Sequence, residues 1–168
     1  MRDQADKLRM KMLEAEGALG KSIAIVSGKG GVGKSNFTTN FANLLSKEGK
    51  KVAILDMDIG MGNIHILIGK SVQYSLKDYL DGSASIDEVL FEGPNNIQYV
   101  SGGSGMSTLL EWNEKKINAF IQAFEYLQKQ FDYILFDMGA GATNWSLELL
   151  TTIDEIIVLS TAEPTAIM

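Results

Sequence analysis

A glycine-rich octet near the beginning of the chain constrains its fold more than any other feature. Residues 28–35 read Gly-Lys-Gly-Gly-Val-Gly-Lys-Ser, and this run fits the phosphate-binding pattern G-x-x-x-x-G-K-[ST]. Glycines let backbone N–H groups turn around a polyphosphate, because side chains would block so close an approach. In this pattern Lys34 reaches the β- and γ-phosphates, and the Ser35 hydroxyl binds a magnesium ion. The predicted nucleotide-binding residues are Gly28, Lys29, Gly30, Gly31, Val32, Gly33, Lys34, Ser35 and Asn36.

The residues on either side of the octet support a phosphate site. Ile23–Ser27 is an apolar, strand-like run, and Asn36–Lys47 has the apolar spacing of a helix. The predicted inward face of that helix carries Phe37, Phe41, Leu44 and Leu45. A strand followed by a glycine loop and a helix N-terminus forms an anion site. The alternative is a flexible glycine turn that binds nothing, and the lysine, the serine and the flanking elements together argue against it.

Composition and charge limit the classes of protein to which this sequence can belong. The chain has 168 residues, which is enough for one domain with a sizeable core. Its net charge of −6 argues against non-specific binding to nucleic acid. The absence of cysteine excludes disulfides and thiolate-held iron–sulfur clusters from this chain. No apolar run approaches the ~20 residues that span a bilayer, and the charged N-terminus lacks the apolar core of a signal peptide, so we expect a cytoplasmic protein.

Strand and helix patterns alternate along the chain after residue 20. Five runs are predicted as strands that are apolar on both faces, as expected for strands covered by helices on each side. These runs are Ile23–Ser27, Val52–Asp56, Ile97–Val100, Tyr133–Asp137 and Ile156–Ser160. The alternation predicts an α/β fold of the P-loop NTPase type, with a parallel sheet and helices on both faces.

Two helix ends are marked in the sequence. A long helix is predicted to begin after an N-cap at Asn113 and to end at Gln130. Its predicted inward residues are Ile117, Phe120, Ile121, Phe124 and Leu127. Gly49 is predicted to end the helix that follows the octet.

Aspartates lie at or just after the ends of two of the predicted strands. Ligands of parallel α/β sheets bind at the carboxyl ends of the strands. Asp56 ends the second predicted strand, Asp58 comes two residues later, and Asp137 ends the fourth strand. Magnesium prefers carboxylate, water and phosphate oxygens. Taken alone, each aspartate is better explained as a strand-end turn residue or a helix cap, but a phosphate loop in the same sheet favours a magnesium site.

The octet contains two lysines, Lys29 and Lys34, and this pair indicates which class of phosphate-binding protein the chain resembles. The run Lys-Gly-Gly-Val-Gly-Lys-Ser resembles the deviant Walker A motif of the MinD/ParA group of dimerising ATPases, which are P-loop NTPases of the SIMIBI type. The resemblance implies that ATP and Mg²⁺ are the cofactors and that Lys29 crosses a dimer interface to the partner's nucleotide. It implies that Asp58 orients the attacking water, which makes Lys29 and Asp58 the catalytic residues. It also implies that Ser35, Asp56 and the Walker B acid Asp137 hold the metal.

Further segments are similar to the FlhG subgroup of that group, also called YlxH or FleN, whose members control flagellar number and placement. They are residues 56–69, the Ser-Gly-Gly-Ser-Gly run at 101–105, and Ser160–Met168. The activating element of the subgroup reads Asp-Gln-Ala-x-x-Leu-Arg and is matched here by Asp3, Gln4, Ala5, Leu8 and Arg9. The resemblance implies that these residues stimulate FlhF, a GTPase of the signal-recognition type. His65 stands where this subgroup is expected to have an acid, and as the single histidine in an apolar stretch it is interpreted as structural.

The resemblance implies a nucleotide-driven cycle. ATP with magnesium closes two copies into a dimer that favours the membrane, and hydrolysis releases them. The family continues beyond the last residue here with more strands, an adenine-contacting segment and a C-terminal amphipathic membrane helix, so we expect a truncated chain. Residues 1–20 are predicted to form a partner-binding helix or tail, and residues 21–168 a P-loop ATPase domain without its C-terminal part.

Two other functions fit the sequence. A truncated, non-hydrolysing module could present residues 1–19 to a GTPase partner. A chromosome- or plasmid-partitioning ATPase of the ParA type is the rival enzyme, and the acidic balance and the N-terminal element disfavour it. The expected partners are a second copy of the chain and an FlhF-like GTPase, with no nucleic acid. Membrane contact is expected only through the C-terminal helix that the chain lacks.

Overall fold

A six-stranded sheet forms the centre of the computed structural model, which describes residues 19–57, 69, 71–103, 113–139 and 144–162. Its strands are β1 (Lys21–Val26), β2 (Val52–Met57), β3 (Leu90–Glu92), β4 (Gln98–Ser101), β5 (Tyr133–Met138) and β6 (Glu155–Val158). The helices within those ranges are α1 (Lys34–Lys47), α2 (Leu76–Leu80), α3 (Ile86–Val89), α4 (Glu114–Gln130) and α5 (Asn144–Leu150), with a 3-10 turn at Pro94–Asn96. The strand order is β3-β4-β2-β5-β1-β6. The octet therefore leaves the sheet from β1, which lies between β5 and β6.

The two faces of the sheet carry separate hydrophobic clusters, because side chains alternate between the faces along each strand. On one face α1 covers a cluster built from β1, β2, β4 and β5, whose members include Ile23, Ile25, Ile54 and Leu135. On the other face α2, α3, α4 and α5 cover the cluster that includes Ala24, Leu55, Phe124, Phe136 and Leu149. The predicted α/β fold with helices on both faces of a mostly parallel sheet is confirmed.

The sheet differs from the sequence prediction at both of its described edges. The short strand β3 pairs antiparallel with β4, so the sheet is not wholly parallel. The sequence does not predict it, because three residues are too few to show a periodicity. The last strand was predicted at 156–160 and apolar on both faces, but β6 is largely exposed and Val158 is 68% exposed. β6 lies at the edge of the described sheet, where fewer elements cover its side chains.

Hydrogen bonds fasten the beginning of β6 to the beginning of β1. The backbone N–H and the hydroxyl of Ser22 both donate to Asp154 Oδ2 at 2.7 Å. The backbone N–H of Asp154 donates to Ser22 Oγ at 3.0 Å. Lys21 and Glu155 form an ion pair beside them. Ser22 is a buried polar residue at the end of β1 that lies away from the octet.

Helix α1 packs on the sheet through smaller side chains than the sequence suggests. It begins at Lys34, directly after Gly33, whose φ of +94° belongs to the left-handed region. Leu44 was predicted to face inward, and this is wrong because 61% of it is exposed. Thr38 and Ala42 are fully buried instead. Helical spacing places these two small residues one turn apart at the centre of the contact, where they allow α1 to lie close to the sheet.

Helix α4 follows the sequence prediction closely. All five side chains predicted to face inward are buried. The side chain of Asn113 accepts a hydrogen bond from the backbone N–H of Lys116 at 3.0 Å, which is the predicted N-cap. Gly49 also takes the expected left-handed conformation after α1, with φ of +78°.

Replacing Asn113 with alanine is expected to lower the free energy of unfolding by about 1 kcal/mol, because a backbone N–H at the start of α4 loses its acceptor. Urea unfolding followed by circular dichroism measures this change. Gln122→Ala, an exposed site within the same helix, is the matched control and is expected to change stability by less than about 0.5 kcal/mol. Equal effects of the two substitutions would contradict the capping role.

Charged and polar side chains tie the short helix α2 to its surroundings. Ser75 donates from its hydroxyl and its backbone N–H to Asp78, and these bonds hold the pKa of Asp78 below its ordinary value. Asp81 pairs with Lys116 at 2.8 Å and with Lys77 at 2.6 Å, and both partners lower the pKa of Asp81. The contacts of Ser75 with Asp78 and of Lys77 with Asp81 lie within α2 and its caps, whereas the Asp81–Lys116 pair joins α2 to α4. Across the described ranges, no helix is long and apolar enough to cross a bilayer.

Candidate nucleotide-binding site

The loop between β1 and α1 presents open backbone at the carboxyl end of a central strand. Gly31 and Gly33 have φ of +75° and +94°, which residues with a side chain adopt rarely. A Cβ atom placed on either glycine would meet no atom within 4 Å. Backbone conformation therefore requires these glycines, and the space beside them is open to a ligand. Gly28, Lys29 and Gly30 are exposed at the same loop, so an anion can approach its N–H groups.

The two lysines of the octet have different environments. Lys29 is exposed, whereas Lys34, the first residue of α1, is only 8% exposed. Lys34 Nζ donates to Ser27 Oγ at 3.0 Å. The Ser27 hydroxyl in turn donates to the carbonyl oxygen of Lys29 at 2.7 Å. The ammonium group of Lys34 therefore lies at the junction of β1 and the loop, while Lys29 is presented to the outside.

Ser35 connects the first turn of α1 to the end of β5. Its hydroxyl donates to Asp137 Oδ2 at 2.6 Å, across 102 positions of sequence. Val32, in the loop before α1, is half-buried, and Asn36, in the first turn of α1, is exposed. The serine and the acid that the sequence assigned to a metal site are thus in direct contact.

A row of residues crosses the sheet beneath the start of α1. Asp137 is the register partner of Ile25 on β1 and of Asp56 on β2, and Asp56 is the partner of Ser101 on β4. Ile25 belongs to the cluster that α1 covers, so this row is on the α1 face. Asp56 and Asp137 are both buried, at 2% and 1% exposure. The neighbouring Gly102 lies so close that a Cβ atom there would be 2.5 Å from the carbonyl oxygen of Asp56.

These oxygen groups fit a magnesium ion. Ser35, Asp56 and Asp137 offer a hydroxyl and two carboxylates, which are the hard ligands that magnesium prefers. In the part of the chain that the structure describes, no three His, Cys, Asp or Glu side chains form a ready-made metal cluster. Magnesium does not need one, because it keeps several waters and binds phosphate oxygens together with one or two carboxylates.

Several residues assigned from the sequence lie outside the described residues. They are Asp58, His65 and the N-terminal set Asp3, Gln4, Ala5, Leu8 and Arg9. Their assignments stay predictions. The structure does bring together the octet, Asp56 and Asp137 near the carboxyl ends of the central strands β1, β2 and β5.

Two contributors to this site were missed in the sequence. Ser27 directly precedes the octet and is predicted only as the last residue of a strand, yet it contacts both lysines of the octet. Ser101 and Gly102 begin the run at 101–105, for which the sequence predicts no role in the site, and they lie beside Asp56. A small polar residue directly after an apolar strand is the signal available for Ser27. The partner of Ser101 depends on strand order, which no local pattern reveals.

Comparison with known proteins agrees with this arrangement. A ParA family model, described as a NUBPL iron-transfer P-loop NTPase, matches residues 18–168. The antiactivator FleN of Pseudomonas aeruginosa is 31% identical over 145 residues, which cover 86% of this chain and 52% of FleN. The flagellum site-determining protein YlxH of Helicobacter pylori is 34% identical over 148 residues, 88% of this chain and 50% of YlxH. The chain spans about half the length of these curated relatives.

The fold has counterparts among solved structures. The septum site-determining protein MinD of Pyrococcus horikoshii, solved in complex with Mg-ADP, superposes with a TM-score of 0.71 and 25% identity. The superposition covers 88% of this chain and 60% of that MinD. With the family match over residues 18–168, the shared fold and the phosphate loop at the carboxyl end of β1, the chain belongs to the ParA/MinD family of P-loop NTPases.

Proposed function

We propose that this chain binds ATP with magnesium, dimerises in that state and hydrolyses the γ-phosphate. The observation that carries the proposal is the direct contact of Ser35 with Asp137 beside an open phosphate loop. A hydroxyl and a carboxylate suited to magnesium, next to a loop suited to phosphates, support a magnesium–nucleotide ligand. The solved MinD complex with Mg-ADP supports the choice of ligand.

Hydrolysis of the γ-phosphate depends on positioning and positive charge more than on covalent catalysis. The loop N–H groups and Lys34 bind the β- and γ-phosphates and offset their negative charge. Ser35, Asp56 and Asp137 hold magnesium, which when bound neutralises charge on the phosphate oxygens. Asp58 orients the water that attacks the γ-phosphate.

Lys29 acts across the dimer in this proposal. It is exposed at the tip of the loop, whereas Lys34 is buried at the base. An exposed cation next to the phosphates of one copy can reach the nucleotide of the facing copy, as an arginine finger does in other P-loop enzymes. Hydrolysis is then coupled to dimerisation, because the site is complete only when two copies meet.

The cellular role that we propose is control of flagellar number and placement. The names of two relatives, antiactivator FleN and flagellum site-determining protein YlxH, support it. Residues 1–20 serve as the partner segment, in which Asp3, Gln4 and Leu8 take part in stimulating an FlhF-like GTPase. Residues 21–168 form the nucleotide-binding domain. Iron transfer, which the description of the family model names, is not part of the proposal because the chain has no cysteine to hold a cluster.

Light scattering with ATP and magnesium tests the proposal. Asp58→Ala is expected to form a stable dimer, because ATP binds but the attacking water is no longer oriented. Lys34→Ala is expected to stay monomeric, because the charge that binds the phosphates is lost. Adding ADP in place of ATP is expected to leave all variants monomeric.

A monomer under every condition contradicts the proposal for this chain. The function would then be that of a module that presents residues 1–19 to a GTPase. In that case Gln4→Ala combined with Leu8→Ala would abolish stimulation of the GTPase, while Lys34→Ala would leave stimulation unchanged. Dimerisation by Lys34→Ala as readily as by the unmodified chain would also contradict the proposal.

A further inference from the structure

The hydroxyl of Ser27 occupies a position between the two lysines of the octet. Ser27 follows β1 directly and is 7% exposed. It lies outside the phosphate-binding pattern, which begins at Gly28. Two hydrogen bonds join it to the loop, one at 2.7 Å to the Lys29 carbonyl oxygen and one at 3.0 Å from Lys34 Nζ.

The direction of both hydrogen bonds follows from the chemistry of the groups. An ammonium group only donates and a carbonyl oxygen only accepts, so Ser27 must accept from Lys34 and donate to Lys29. A hydroxyl has one proton and two lone pairs, so it can make both bonds at once. Ser27 thereby connects the side chain of the buried lysine to the backbone of the exposed one.

We propose that Ser27 is a positioning residue, which holds the Lys34 ammonium group at the loop and fixes the backbone that presents Lys29. This inference rests on the proposed ATP site. A lysine side chain has many rotamers, and a bond to a group on β1 removes much of that freedom before phosphate arrives. Accepting one N–H bond leaves the other ammonium donors of Lys34 for phosphate oxygens. Without this acceptor, the buried ammonium group would lose a hydrogen bond that offsets the cost of removing its charge from water.

Substitution of Ser27 is expected to weaken ATP binding while the fold stays intact. Ser27→Ala should raise the Kd for a fluorescent ATP analogue with magnesium about tenfold, because a hydrogen bond to a charged group is lost. Ser27→Thr keeps the hydroxyl and should restore the Kd to within about threefold of the unmodified chain. The thermal unfolding midpoint of each variant without nucleotide verifies that it is folded. Should Ser27→Ala fail to fold, Ser27→Cys is used, since it keeps the size of the side chain but hydrogen-bonds weakly.

Ser22→Ala is the matched control. It removes another buried serine hydroxyl from the other end of the same strand, where the partner is Asp154. We expect a lower unfolding midpoint but a Kd for the ATP analogue within about twofold of the unmodified chain. A general loss of packing in β1 would instead raise the Kd of both variants.

The outcomes separate this inference from the function on which it rests. Ser27→Ala binding as tightly as the unmodified chain, or Ser27→Thr binding as weakly as Ser27→Ala, overturns the positioning role. Lys34→Ala is measured in the same series. Tight binding by that variant overturns the proposed ATP site itself, whatever Ser27 does.

Discussion

Replacing Asp137 with asparagine is expected to lower the rate of ATP hydrolysis by about 100- to 1,000-fold, because a charge that stabilises the bound metal is removed at the reacting phosphates. The amide oxygen of asparagine can still accept the hydrogen bond that Ser35 donates to Asp137 Oδ2 at 2.6 Å. The substitution therefore removes charge with little change of shape. Phosphate release from ATP, measured across a range of magnesium concentrations, tests this expectation.

The magnesium dependence distinguishes a ligand from a structural residue. The magnesium concentration for half-maximal activity should rise for Asp137→Asn, since the ion is held by fewer charges. Asp154→Asn is the matched control, because Asp154 also accepts hydrogen bonds from a serine but lies at the opposite end of β1. We expect its rate and magnesium dependence to stay within about twofold of the unmodified chain. A rate reduction for Asp137→Asn without any change in magnesium dependence would contradict a metal-binding role for Asp137.

Replacing Phe124 with alanine is expected to lower the free energy of unfolding by about 3–5 kcal/mol, the range for loss of a buried aromatic ring. Phe124 faces the sheet from α4 and is 2% exposed. Its ring centroid lies 5.6 Å from that of Phe136 on β5, the strand that carries Asp137. A cavity at this point removes contacts of α4 with the sheet. Urea unfolding followed by tryptophan fluorescence and by circular dichroism measures the change.

Leu44→Ala is the control for this second prediction. Leu44 is also a large apolar residue in a long helix, but it is 61% exposed, so its removal should cost less than about 0.5 kcal/mol. Comparable losses for Phe124→Ala and Leu44→Ala would mean that α4 does not pack on the sheet as described.

Much of the site could be predicted from short stretches of sequence. The octet predicts its own loop, because glycines with positive φ and a lysine–serine pair at the helix start act within a few residues. The buried face of α4 could be predicted because apolar spacing repeats over several turns. At α1 the same reasoning placed Leu44 inward, and the structure buries Thr38 and Ala42 instead. Apolar spacing alone does not tell how closely a helix approaches a sheet.

Other features depend on residues that are distant in sequence. The sequence placed Asp56 and Asp137 at strand ends but left open whether the two strands are neighbours. The order β2-β5-β1 brings them together, and the register makes them direct partners on the α1 face. The contacts of Ser27 with Lys29 and Lys34 are closer in sequence, but they require the loop to fold back over the end of β1.

The sequence by itself determined the chemistry of this protein: a phosphate loop, the acids that follow its strands, and an α/β alternation. These features are set by local backbone preference and by periodicity, which act over a few residues or a few turns. Only the tertiary structure decided which side chains meet, including Ser35 with Asp137 and Ser27 with Lys34. Strand order and the exposure of β6 follow from how whole elements bury their surfaces against each other. The free energy gained by this burial is shared among residues far apart in the chain, so it cannot be predicted from any single stretch of sequence.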